Sequence, residues 1–173
     1  HILEAIEQGQ ADAIVSRTKV MVLRLREAEE ALRETEQRYR SFVDRNPDAV
    51  FCVDTEGRFL EVNPAAVGLS GYTEAELLDK HWRDLCHPED LEKTKQNFAE
   101  ALAGRPTDLQ TSMIRKDGKR VILYLSGGPL VIHNKIRGLF IVAHDLTKLK
   151  KTEENLRIHQ EELEMQLSLI HIS

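Results

Sequence analysis

The chain has 173 residues, of which 41% are hydrophobic, 31% charged and 5% aromatic, and its formal net charge is −5. This negative charge argues against a protein that binds nucleic acid through bulk electrostatics, because such proteins are basic. No apolar run approaches the roughly 18 residues of a membrane span, and the two cysteines, Cys52 and Cys86, are too few for a disulfide scaffold. We therefore expect a cytoplasmic protein that contacts neither nucleic acid nor a membrane.

Residues 21–46 predict a long helix. Twelve charged residues lie in the stretch from Arg24 to Arg45. A set of uncharged residues in the same region recurs at alternating steps of four and three, as in the seam of a heptad repeat. The seam consists of Met21, Leu25, Ala28, Leu32, Thr35, Tyr39 and Phe42. Two arrangements fit it: a coiled coil between two chains, or a single amphipathic helix lying on its own domain. Residues 1–20 form a separate segment, in which Ile2–Gln8 predicts a short helix that ends at Gly9.

A second coiled-coil helix is predicted over residues 148–167. Its seam recurs every seven residues and consists of Leu149, Leu156, Leu163 and Ile170. The companion column contains the polar residues Glu153 and Gln160, which weaken the seam and can fix its register. We expect the two flanking helices to join two copies of the chain into a homodimer. Residues 168–173 are interpreted as a tail that is not native to the protein.

The intervening residues 47–147 have the length of one domain. The predicted strands are 49–53, 59–62, 109–115, 120–126 and 138–144, with a break or bulge of the fourth at Gly127–Pro129. Asn63 as N-cap and Pro64 at the first helical position predict the start of a helix. Thr73 and Glu76 predict a capping box at the next helix, and a longer helix is expected over 87–103. This order of elements predicts an α+β fold, with an antiparallel sheet and its helices on one face.

Six short motifs follow one another through this domain. They are Asp54–Arg58, Val62–Ala66, Gly71–Leu77, His87–Asp90, Arg115–Gly118 and Asp145–Thr147. In this order they resemble the PAS, or sensory box, domain, and the charged stretches on either side resemble the linkers of PAS domains in bacterial sensor histidine kinases. The resemblance implies a five-stranded antiparallel sheet curved around a small pocket. Lys148 is a departure, because the family usually has Glu at this position.

The resemblance also indicates functional residues. Asp145 and Thr147 match the motif that couples the last strand to the exit helix, although short polar side chains there can also be simple caps. The candidate pocket-lining residues are Phe51, Val53, Trp82, Leu123, Tyr124 and Ile141.

The sequence contains no recognisable catalytic or metal-binding motif. His159 lacks the surroundings of a phospho-accepting histidine, so the chain is expected to be catalytically inert. Haem would need an axial histidine, and of His81 and His87, which lie before the long helix, His81 is the better candidate. A flavin light sensor needs an Asn-Cys-Arg-Phe motif that Cys86 does not match. Cys52 is expected in the core, and redox sensing by a partly exposed Cys86 is an option. We expect no cofactor or metal, with a small metabolite as the alternative.

Together these features predict a PAS input or relay module of a bacterial sensor histidine kinase, within a two-component phosphorelay. A downstream kinase or cyclase domain is expected in the parent chain. Three alternatives stay open: a sensor that carries haem or a flavin, a PAS input to a diguanylate cyclase, and a passive dimerisation module.

Overall fold

A computed structural model of the chain describes residues 2–172. The helices are α1 (Ile2–Asp44), α2 (Pro64–Ser70), α3 (Glu74–Leu78), α4 (Trp82–Leu85), α5 (Leu91–Leu102) and α6 (Thr147–Ile172), with a 3₁₀ turn at Pro88–Asp90 before α5. The strands are β1 (Ala49–Asp54), β2 (Phe59–Val62), β3 (Thr107–Ile114), β4 (Arg120–Ile132) and β5 (Lys135–Asp145). They form one antiparallel sheet in the order β2-β1-β5-β4-β3. The predicted five-stranded α+β architecture is confirmed.

Helix α1 accounts for the first of two compact units, which ends at Val43. The prediction that a short helix ends at Gly9 is wrong, because α1 runs through this position without interruption. A lone glycine costs a helix only about 1 kcal/mol, and no proline follows until Pro47. The seam residues Met21, Leu25 and Leu32 are all exposed.

The second unit, from Asp44 onward, contains the sheet, α2–α5 and α6. Its strand β4 is longer than predicted and passes through Gly127–Pro129 while paired with β5, and the irregularity lies one step later, at Leu130/Val131. Because β3 begins opposite Gly127, the rest of β4 has only β5 beside it, and an edge of this kind tolerates a proline. The predicted break at Gly127–Pro129 is therefore wrong.

The connection from β2 to α2 is organised by Asn63, which is fully buried. Its Oδ1 accepts hydrogen bonds from the backbone N–H groups of Val50 and Ala66, both at 2.9 Å, and its Nδ2 donates to the carbonyl of Asp48 at 2.9 Å. Asn63 is thus the N-cap of α2 and also joins that helix to β1, with Pro64 at the first helical position. The capping box of Thr73 and Glu76 begins α3.

Candidate functional site

A cavity of about 110 Å³ lies between the inner face of the sheet and helices α2–α5. Five of the predicted lining residues, Phe51, Val53, Trp82, Leu123 and Ile141, are on its wall. Sequence reasoning missed other wall residues, among them Thr107, Thr111, Leu139 and Ala143. The last two lie two positions on either side of Ile141 in β5, so the two-residue period of a strand was the signal that could have found them.

Tyr124 does not line the cavity, and this prediction is corrected. Its hydroxyl donates to the carboxylate of Asp108, and its ring stacks on that of His144, with centroids 6.4 Å apart. Because side chains alternate along β4, Leu123 and Leu125 point into the cavity and Tyr124 points to the opposite face of the sheet.

One wall of the cavity is polar, where α5 faces β3. The Thr94 hydroxyl donates to the carbonyl of Asp90 at 2.8 Å, so the Thr111 hydroxyl is the donor in the 2.8 Å contact between the two threonines. Cys86 Sγ lies 3.7 Å from Thr94 Oγ1. Burial raises the pKa of the Cys86 thiol, and burial followed by the charge of Glu61 raises that of Cys52 to about 11. Both groups are therefore neutral thiols at neutral pH, which disfavours redox sensing through a thiolate.

The two histidines considered from the sequence act as helix caps. Nδ1 of His81 accepts from the N–H of Arg83 at 3.0 Å, so its Nε2 carries the proton and donates to the carbonyl of Glu56 at 2.6 Å. His87 Nδ1 accepts from the N–H of Glu89 at 3.2 Å. His81 could ligate haem only after giving up these bonds. Within the described residues, no group of three or more His, Cys, Asp or Glu side chains is placed to hold a metal ion.

Two residues of the junction between β5 and α6, Leu146 and Thr147, are hydrogen-bonded to Ile122 of β4. The N–H of Leu146 donates to the carbonyl of Ile122 at 2.8 Å, and the N–H of Ile122 donates to Thr147 Oγ1 at 3.0 Å. Asp145 Oδ1 accepts from the N–H of Thr147 at 2.8 Å. The Leu146 carbonyl, which would continue the sheet, instead accepts from Lys150 in the first turn of α6. In the hydrogen bonds between β4 and β5, the Thr147 hydroxyl therefore takes the place of a backbone carbonyl as the acceptor for Ile122. This lets the strand end and the helix begin at the same point.

This junction borders the cavity directly. Leu123, which lines the cavity, is paired across the sheet with Asp145 and is the neighbour of Ile122 in β4. On the other strand, Ala143 lines the cavity two residues before Asp145. One strand pair thus carries both part of the cavity wall and the attachment of α6.

The family comparison agrees with this geometry, because a family model described as the PAS fold matches residues 43–151. The chain belongs to the PAS family. A PAS domain is a sensory module of signalling proteins and not a catalytic domain. None of the helices that the structure describes is long and apolar enough to cross a membrane.

Known relatives of this PAS domain occur in signalling proteins of different kinds. The chain is 28% identical over 145 residues to the sensor histidine kinase TmoS of Ectopseudomonas mendocina, covering 81% of this chain and 15% of that protein. It is 28% identical over 125 residues to the probable diguanylate cyclase DgcE of Escherichia coli, covering 70% and 11%. A solved domain of a sensory box sensor histidine kinase/response regulator from Geobacter sulfurreducens is 26% identical, with a TM-score of 0.58 over 66% of this chain and 96% of that one. The chain thus spans only a small part of the curated relatives that it matches.

Proposed function

We propose that this PAS domain is an input or relay module of a dimeric, cytoplasmic sensor histidine kinase in a two-component system. The observation that carries the proposal is the attachment of the first residue of α6, Thr147, to Ile122 in β4. Through this attachment, a change in the sheet changes the position of the exit helix. The similarity to a sensor histidine kinase over 81% of the chain supports a histidine kinase as the protein that contains this domain.

The route of the signal follows from the register of β4 and β5. A ligand or a motion that displaces Leu123 also displaces Asp145, its partner across the sheet. Ile122 and Thr147 then move with them, because hydrogen bonds join these two residues directly. Such a switch requires two arrangements of the junction that differ by only a few kcal/mol.

The exit helix α6 has an exposed apolar seam that suits pairing with a second copy of the chain. Its seam residues are exposed in the single chain and consist of Leu149, Leu156, Leu163 and Ile170. Pairing with the same seam of a second copy would bury them, and the polar positions Glu153 and Gln160 would keep the pairing weak enough to change register. This proposal accounts for the apolar residues that recur every seven positions from Leu149 to Ile170.

Variants of the junction in the full-length parent protein test the proposed coupling. Asp145→Ala removes the acceptor of the Thr147 N–H and should alter the dose response of autophosphorylation while the domain stays folded. Thr152→Val is the matched control, because Thr152 lies in α6 and its hydroxyl bonds only to the carbonyl of Lys148 in its own helix. A normal dose response in the folded Asp145→Ala protein would refute the coupling and favour a passive dimerisation module.

A diguanylate cyclase is the second candidate for the protein that contains this domain. It is favoured by the 28% identity to DgcE over 125 residues. Sequencing the parent gene downstream of the exit helix distinguishes a kinase domain from a cyclase domain.

A further inference from the structure

The cavity contains one hydroxyl group whose hydrogen-bonding capacity is unused. Thr107 begins β3, is 4% exposed and lines the cavity. Its Oγ1 has no hydrogen-bond partner among the residues that the structure describes. A buried hydroxyl without a partner destabilises a protein, so a group of this kind in a native fold requires a reason.

The other hydroxyl groups of the cavity wall have partners. Thr94 and Thr111 bond to each other, and the Ser112 hydroxyl donates to the Asp90 carboxylate. Ser70 donates to the carbonyl of Val67 at 3.3 Å and accepts from a backbone N–H. Among the hydroxyl groups of the wall, the missing partner is therefore specific to Thr107. The indole Nε1 of Trp82, which is also a wall residue, is the other buried polar atom there without a partner among the described residues.

The composition and the size of the cavity limit what can bind there. Every residue assigned to its wall in the described chain is uncharged, and an ion placed among them would lose its hydration without gaining a counter-charge. The volume of about 110 Å³ is below the roughly 150 Å³ of an engineered cavity that binds benzene. Haem and flavins are several times larger than such a space.

We propose that the cavity binds a small uncharged molecule, mostly hydrocarbon and of about six non-hydrogen atoms, whose single oxygen hydrogen-bonds to Thr107. Because a threonine hydroxyl both donates and accepts, this oxygen is either an alcohol hydroxyl, which can do both, or a carbonyl oxygen such as that of a ketone, which accepts. The hydrocarbon part packs against apolar wall residues such as Phe51, Leu139 and Ile141. The inference rests on the proposed sensory role, in which this molecule is the input.

Titration of the whole 173-residue chain with cyclopentanol tests the proposal. Trp82 is the sole tryptophan and lies on the cavity wall, so its fluorescence reports occupancy. We expect saturable binding of cyclopentanol and of cyclopentane, and none of cyclopentanecarboxylate. Thr107→Val keeps the shape of the side chain and should weaken cyclopentanol about tenfold while changing cyclopentane less than twofold. Tyr124→Phe removes a hydroxyl on the other face of the sheet and should change neither affinity.

Three outcomes would overturn the proposal: no saturable binding of cyclopentanol, equal binding of the carboxylate, or unchanged affinity for cyclopentanol in Thr107→Val.

A second measurement uses the unmodified chain and so does not depend on whether the Thr107→Val variant folds. Magnetisation transfer from bound cyclopentanol should reach the methyl group of Thr107, and transfer only to residues outside the cavity would equally refute the site. Binding is measured without an output domain, and the junction variants are measured without a ligand, so failure of either proposal is recognised separately.

Discussion

At the scale of single residues, Gly138 illustrates how closely the central strands approach each other. It lies in β5 opposite Asp54 of β1, and a Cβ atom added there would be 1.9 Å from the carbonyl oxygen of Val53. Backbone atoms in the middle of a sheet cannot move aside without breaking the ladder. Gly128 in β4 differs, because a Cβ atom there would meet no other atom within 4 Å.

Gly138→Ala should therefore lower the free energy of unfolding by about 3 kcal/mol, whereas Gly128→Ala should change it by less than about 0.5 kcal/mol. Urea unfolding followed by circular dichroism measures both values. Equal losses in the two variants would show that the close approach to Val53 does not constrain this position.

Local signals in the sequence predicted the caps, because a cap depends on residues within one turn. Asn63 and the pair Thr73 and Glu76 lie at the helix starts that their spacing predicts. Thr147 is different, because its hydroxyl accepts a hydrogen bond from the N–H of Ile122, 25 residues away in the sequence. Leu123 and Tyr124 are adjacent in β4, and only the register of the strand shows which of the two faces the cavity.

At the scale of elements, Asp90 joins the beginning of α5 to the sheet. Its carboxylate accepts from the Ser112 hydroxyl of β3, lies 2.9 Å from Lys93 Nζ and lies 3.6 Å from Arg120 Nη2 of β4. Burial raises the pKa of this carboxyl, but the hydrogen bonds from Ser112 and Lys93 and the charges of Lys93 and Arg120 outweigh it, and the pKa falls below its usual value. The ionised form is therefore the one that holds α5 against the sheet.

A depressed pKa in the folded state makes the stabilisation by Asp90 pH-dependent. The stabilisation is present above the usual aspartate pKa of about 4 and is lost as the pH falls through the lower value of the folded state. Asp90→Asn should cost about 1–2 kcal/mol at pH 7 and should make the free energy of unfolding less sensitive to pH below about 4. Urea unfolding at a series of pH values measures this. Glu92→Gln, at an exposed position of α5, is the control, and the same acid sensitivity in Asp90→Asn as in the unmodified chain would contradict the prediction.

The ends of the strands were the least predictable elements. The strand signal in Arg120–Ser126 is local, but β4 continues to Ile132 because β5 pairs with it from Leu123 to Ile132. The error at Gly9 has a local cause, because a lone glycine does not end a helix when no proline follows it. Element type follows from nearby residues, whereas strand length depends on partners that are distant in the sequence.

At the scale of the whole molecule, the exposed seam of α6 carries the proposal of a homodimer. Leu156 is 65% exposed and lies on the seam, while Ile158 is 43% exposed and lies two residues away, off the seam. A charge at a seam position would have to be buried between two helices, which is unfavourable.

Leu156→Glu should therefore shift the chain from dimer to monomer and raise the dissociation constant at least tenfold, whereas Ile158→Glu should leave it within about twofold. Analytical ultracentrifugation over a concentration series measures the dissociation constant. Equal effects of the two substitutions, or a chain that is monomeric without any substitution, would exclude α6 pairing through this seam.

Amide hydrogen exchange at Ile122 tests most directly the claim that a hydrogen bond between Thr147 and Ile122 of β4 attaches the exit helix to the sheet. NMR exchange rates of the unmodified chain are compared with those of Thr147→Val, with Thr152→Val as the control in the same helix. We predict that the Ile122 amide, which donates to the Thr147 hydroxyl, exchanges at least tenfold faster in Thr147→Val. The amides elsewhere in β4 should stay protected. Equal protection of Ile122 in the unmodified chain and in Thr147→Val would contradict the attachment, and with it the proposed route from the cavity to α6.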